Sequence, residues 1–175
     1  SMTPLFREIV LETNPDRILD SLDKLRNQPE KEDWTSPMQD TKAEGVGELY
    51  QEIILRNYMM TADLSIIPDL ITEIRRGNRS ADWLASAIHT LSAMGAEEAC
   101  EPILKFISHS NPSVSAEALQ YFSNIDHPPA HETLLKALHN KDLWIVTCAE
   151  QGLAGQESGG WNLLLDALEI VHKRA

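Results

Sequence analysis

Cysteine is scarce: the 175 residues hold two, Cys100 and Cys148, far apart and each set among apolar neighbours. Two such thiols make neither a disulfide framework nor a cysteine metal site, and they favour a reducing compartment. Long apolar runs are missing as well. No stretch approaches the roughly 18 residues needed to cross a bilayer, and the N-terminus lacks a basic region leading into an apolar one. A cytoplasmic protein with no membrane segment is therefore expected, and Ser1 ahead of Met2 reads as a residue left by tag removal. Positive charge is also short: 15 Lys and Arg against 27 Asp and Glu give a net charge of −12 and a pI near 4.8. Phosphate binding depends on releasing counterions to Lys and Arg, so this balance opposes nucleic acid and anionic membranes. It favours a protein partner that is basic or neutral on the contacting face. The most basic clusters, Arg75 with Arg76 and Arg79, and Lys173 with Arg174, are not interleaved with aromatics and fit cations in a last helical turn.

What the chain does have is helical periodicity. From residue 46 onward, apolar residues recur at helical spacing between short breaks rich in Gly, Asn, Pro and Ser. The spacing predicts helices over 46–60, 64–76, 81–94, 97–109, 112–124, 130–139, 143–154 and 160–173. Upstream, Pro4 to Glu12 reads as a short helix, and Asn14-Pro15-Asp16 starts another that runs through Arg26. Residues 27–45 are polar, charged and proline-punctuated, which reads as a long loop.

The helices repeat in pairs. Ser80, Asn111 and Asp142 are 31 residues apart, and each is a good N-cap whose side chain accepts from orphan backbone N–H groups. The same step relates Trp83, Val114 and Ile145, then Ala87, Ala118 and Ala149, then Leu91, Phe122 and Leu153. In the second helices Ile103, Leu104 and Ile107 map onto Leu134, Leu135 and Leu138. With one residue removed from the loop, they also map onto Leu164, Leu165 and Leu168. A step of 33 residues upstream brings in Tyr50, Ile54 and Tyr58, with Leu70, Ile71 and Ile74, so four pairs are implied. One pair alone leaves an apolar face exposed, so consecutive pairs must stack on one core. The small residue repeated at Ala87, Ala118 and Ala149 lets neighbouring helices approach closely.

This pattern of a capping Asn or Asp, a hydrophobic residue two or three positions on, small residues in mid-helix and a leucine-rich second helix resembles the HEAT-like repeats, especially the short ones of about 30 residues. Its best expression is Asn111-Pro112-Ser113-Val114-Ser115-Ala116-Glu117-Ala118-Leu119. The family often carries Arg just after the hydrophobic residue, where this chain has Leu84, Ser115 and Val146. The resemblance implies an all-α fold, a right-handed α-α solenoid of about four helical pairs. Residues 46–175 form the repeat domain, 2–26 are N-terminal capping helices and 27–45 the polar loop, the whole chain being one domain. It also implies that the second helices line an inner, concave surface.

Signatures of chemistry are missing. Gly45-Val46-Gly47 lacks the remaining glycine spacing and the Lys-Ser or Lys-Thr of a phosphate loop, and the glycines at 152, 155, 159 and 160 read as a turn. His127 and His131 are four apart, but Pro128 and Pro129 interrupt any helix that would align them with each other, near His109 and Asp126, on a metal. Cys148 falls in the repeat core, where an apolar setting raises a thiol's pKa. No serine stands on a glycine elbow. Neither an enzyme nor a cofactor or metal is expected.

The remaining candidates are carboxylates outside the repeat core on the second helices: Asp69 and Glu73, then Glu97, Glu98 and Glu101, then Glu132, then Asp166 and Glu169. Stacking would align them into an acidic band, while Lys105 and Lys136, four after Glu101 and Glu132, would make local ion pairs. Trp34 in the polar loop and Trp144 beside the core position Ile145 are candidate aromatic anchors. The expected function is non-catalytic protein binding through this acidic surface, in one form as an inhibitor or immunity-type protein of a basic toxin or nuclease. The alternatives are an adaptor or assembly factor, and a HEAT-like enzyme acting on nucleic-acid bases or tetrapyrrole attachment.

Overall fold

A helix begins readily where a side chain can accept from backbone N–H groups that have no intrahelical partner, and such residues open four of the α-helices here. The computed structural model describes residues 4–27 and 45–174, and contacts divide the chain into two units, Ser1–Arg79 and Ser80–Ala175. In the first unit, α1 (Pro4–Leu11) is followed by α2 (Pro15–Arg26), where Asn14 accepts from the Asp16 N–H at 3.0 Å and Pro15 supplies a preset φ. Next come α3 (Val46–Met60), a 3-10 turn over Leu64–Ile66 capped by Asp63, and α4 (Ile67–Arg76), which Gly77 ends in the left-handed region at φ +72°. The helix α1 packs on α2, α3 and α4 around Ile9, Val10, Leu22, Ile54 and Leu70. The first two helices thus share their core with the first predicted pair.

The end of α1 is buried, so its last carbonyls need donors from elsewhere. Gln51, itself buried in α3, donates from Nε2 to the carbonyls of Ile9 and Glu12 at 2.9 Å each. Arg79 donates to the carbonyls of Leu11 and Glu12 and to the Glu73 carboxylate. The third arginine of the apparent basic cluster is therefore an internal cap, buried on a carboxylate rather than displayed.

The second unit holds α5 (Ala81–Ala93), α6 (Cys100–Leu104), α7 (Pro112–Asn124), α8 (His131–Ala137), α9 (Leu143–Ala154) and α10 (Gly160–Arg174). Ser80, Asn111 and Asp142 cap α5, α7 and α9, accepting from the N–H groups of Trp83 at 3.3 Å, Ser113 at 2.9 Å and Trp144 at 2.9 Å. The repeat positions are buried as expected: Ala87, Ala118 and Ala149 are all 0% exposed, as are Leu91, Phe122 and Leu153. Each large side chain so buried contributes about 1.5–3 kcal/mol.

The helices α5, α7 and α9 pack directly on one another, whereas α6, α8 and α10 touch each other sparingly. Two predicted second helices are shorter than the periodicity suggested. Residues Glu97–Ala99 and Lys105–Ser108 wind as 3-10 turns on either side of α6, and Pro128–Ala130 does so before α8. Pro102, Pro128 and Pro129 each lack a donor, and short tightened turns are the usual way such ends are completed. Among the described residues there is no strand, and no helix is long and apolar enough to cross a membrane.

Candidate partner-binding surface

The eight acidic candidates separate into two kinds of environment. Asp69, in α4, is bound by Arg7 through two hydrogen bonds of 2.7 Å, and this guanidinium holds its carboxyl below the usual range. Glu73 is only 6% exposed and lies between Arg76 at 2.6 Å and Arg79 at 3.0 Å. Both charges are neutralised inside the first unit. By contrast Glu97, Glu98, Glu101, Glu132, Asp166 and Glu169 are exposed on the second helices of the other unit.

Glu132 meets Lys136 at 3.2 Å, a fully solvated pair of little energetic weight. The equivalent Glu101–Lys105 pair is not within ion-pair distance, because the chain tightens into a 3-10 turn at Lys105 and the four-residue spacing no longer stacks the two side chains. Over residues 80–175 twelve Asp and Glu face five Lys and Arg, so the unit stays acidic after such local pairing. Trp144 is 48% exposed on the first turn of α9, and Trp34 lies outside the described residues.

A depression of about 280 Å³ opens on the other layer, between α5, α7 and α9. His89, Glu117, Gln120, Asn124 and Gln151 line it. None of these stood out in the sequence, although His89, Gln120 and Gln151 are spaced by the same 31 residues as the caps. The buried Ala87, Ala118 and Ala149 lie in α5, α7 and α9, where small side chains let the three helices pack directly on one another.

The remaining chemical candidates resolve into structure. The Cys148 thiol is buried and pushed up by desolvation, and Cys100 is pushed up by the same cause. His127 stacks on Phe122 with ring centroids 6.0 Å apart, and its backbone N–H donates to Gln156. His131 Nε2 lies 3.1 Å from Ser158 Oγ, but the Ser158 hydroxyl donates to Asp126 Oδ1 at 2.8 Å. The serine is then the acceptor from histidine, the reverse of the proton direction an activated nucleophile requires. Among the described residues no group of three or more His, Cys, Asp or Glu is placed to hold a metal ion.

The family model for HEAT repeats matches residues 67–154. The match opens on the first residue of α4 and closes on the last residue of α9, so it covers half the chain and follows its element boundaries. The chain belongs to the HEAT-repeat family. No curated protein and no solved structure matches it. In this HEAT-repeat chain the family's helical pairs therefore present two distinct polar surfaces in the second unit: exposed carboxylates on α6, α8, α10 and the turn before α6, and a mixed polar groove across α5, α7 and α9.

Proposed function

We propose that this chain is a non-catalytic protein-binding module whose acidic second-helix surface engages a partner that is basic on the contacting face. HEAT repeats generally mediate protein–protein interaction, which supports the coarse reading. The observation that carries the finer one is the solvent exposure of Glu97, Glu98, Glu101, Glu132, Asp166 and Glu169 within a unit where acids outnumber bases by more than two to one. Borne on successive second helices, such carboxylates would face a row of basic side chains on one partner. Complementary fields of this kind act mainly on the rate of encounter and on specificity. Covering a basic enzyme's active site, as an inhibitor or immunity-type protein would, is one form of this function. Holding a basic subunit within a larger assembly is the other.

The test is to copurify the chain with its partner from the source cells and measure association of the purified pair. Association slows roughly tenfold or more as salt rises from low to physiological strength, and Glu101→Lys with Glu132→Lys slows it similarly at low salt while helicity is unchanged. A partner that binds the double variant at the wild-type rate sinks the acidic-surface reading.

A further inference from the structure

The groove across α5, α7 and α9 has a lining that repeats with the sequence. His89, Gln120 and Gln151 occupy one register position of three successive helices, and Ser92 and Ser123 occupy another. Packed helices lie about 8–10 Å apart, so the polar groups recur at an interval that three residues of extended chain span at about 3.3 Å each. A side-chain amide carries both a donor and an acceptor, as a peptide group does, and a row of them at this interval complements an extended backbone. Gln120 Nε2 donates to a sulfur, Cys148 Sγ at 3.8 Å, and a peptide carbonyl would be a stronger acceptor.

The groove also holds one carboxylate. Glu117, its side chain one quarter exposed, has Oε2 at 3.1 Å from His89 Nδ1, and no described Lys or Arg reaches it. A cation seated there is screened less than one on the open second-helix surface. The volume, about 280 Å³, falls below the usual range for small-molecule pockets, and seven of its eight lining residues carry a polar group at the end of the side chain. Space, spacing and charge together fit a strand laid across the helices.

We propose that the α5–α7–α9 groove binds an extended segment of another protein, with Gln120 and Gln151 hydrogen-bonded to its backbone and a Lys or Arg of the segment seated on Glu117. This rests on the protein-binding reading of the chain but not on the acidic second-helix surface.

The test selects a displayed library of linear twelve-residue peptides against the full chain, then titrates the best binder into isotope-labelled protein. The expected result is enrichment of one Lys or Arg at a fixed position and resonance shifts in the side-chain amides of Gln120 and Gln151. Glu117→Gln weakens binding at least tenfold and removes the preference for the basic residue. Gln151→Ala, at an exposed position that folding does not need, weakens binding several-fold without that loss of preference. The Glu101→Lys and Glu132→Lys variant binds the peptide as wild type does. The proposal is overturned if no peptide is enriched, if the shifts map to the second helices, or if the Glu117 variant binds equally well. Those failures leave the acidic-surface reading to its own test, since that one is read on the native partner and on different residues.

Discussion

Two glutamines show what a single polar side chain contributes when it is buried. Gln156 is 2% exposed, donates to the carbonyls of Phe122 at 2.6 Å and Ile125 at 2.7 Å, and accepts from the His127 N–H at 2.7 Å. It satisfies the end of α7 as Gln51 satisfies the end of α1. Leaving a buried donor or acceptor unpaired costs about 1–3 kcal/mol, while the methyl groups of a replacing leucine return only part of that. Gln156→Leu is therefore expected to destabilise the fold by about 2–4 kcal/mol, read as a fall in the denaturant midpoint with little change in slope. A midpoint within experimental error of wild type would mean that water reaches those carbonyls.

Neither role was legible in the sequence. Gln51 and Gln156 stand at positions where a polar residue normally faces solvent, and only the tertiary approach of one helix end to another helix makes them internal. Arg79 shows the same failure from the other side: its neighbours made it part of a basic cluster, whereas folding turned it inward onto Glu73. The N-caps, by contrast, were fully legible. Ser80, Asn111 and Asp142 act on backbone groups two or three residues away, so no long-range information was needed.

At the scale of elements, the 31-residue step carried most of the architecture, because a repeated buried face must recur at a repeated sequence interval. What it did not carry was which layer packs more closely. The alanine ladder carried that answer, whereas the groove residues His89, Gln120 and Gln151 recur at the same step with no apolar signal to mark them. The glycines of α9 extend the same point. Gly152 and Gly155, read as parts of a turn, lie against the backbone of α7: a Cβ on Gly152 would meet the Leu119 carbonyl at 3.0 Å, and one on Gly155 would collide with the Ser123 backbone. Backbone cannot move aside as a flexible side chain can. Gly155→Ala is expected to push α9 from α7 at a cost of about 3 kcal/mol, the upper range for overpacking, and outweighs any gain in helix propensity. Thermal unfolding of the variant checks this, and an unchanged or raised Tm would show that the two helices are not locked at this distance.

For the whole molecule, a net charge of −12 is set against several large apolar side chains that face solvent. Five of the large exposed hydrophobic residues fall on the last two helices: Leu143, Trp144, Trp161, Leu165 and Leu168. Leu165 and Leu168 sit at the register of Leu135 and Leu138, which are partly covered, so the repeat continues its apolar stripe to a face left 45% and 43% exposed at these two positions. At neutral pH mutual repulsion between acidic molecules opposes contact through such a face. That repulsion vanishes as pH falls to the pI near 4.8.

Acid unfolding is the competing cause and has a different window. Asp69 and Asp126 have their pKa values lowered by hydrogen bonds from Arg7 and from Ser158. A depressed carboxylate contributes stability that is present above its unfolded pKa, near 4, and is lost only as pH falls through the lower folded value. At pH near 4.8 these contributions remain, so the helices should persist. Light scattering is thus expected to rise as pH approaches the pI while far-UV circular dichroism holds, and Trp161→Glu with Leu165→Glu should abolish the rise by restoring charge on the apolar face. Scattering that begins only after helicity is lost would assign the association to unfolded chains instead of to this surface.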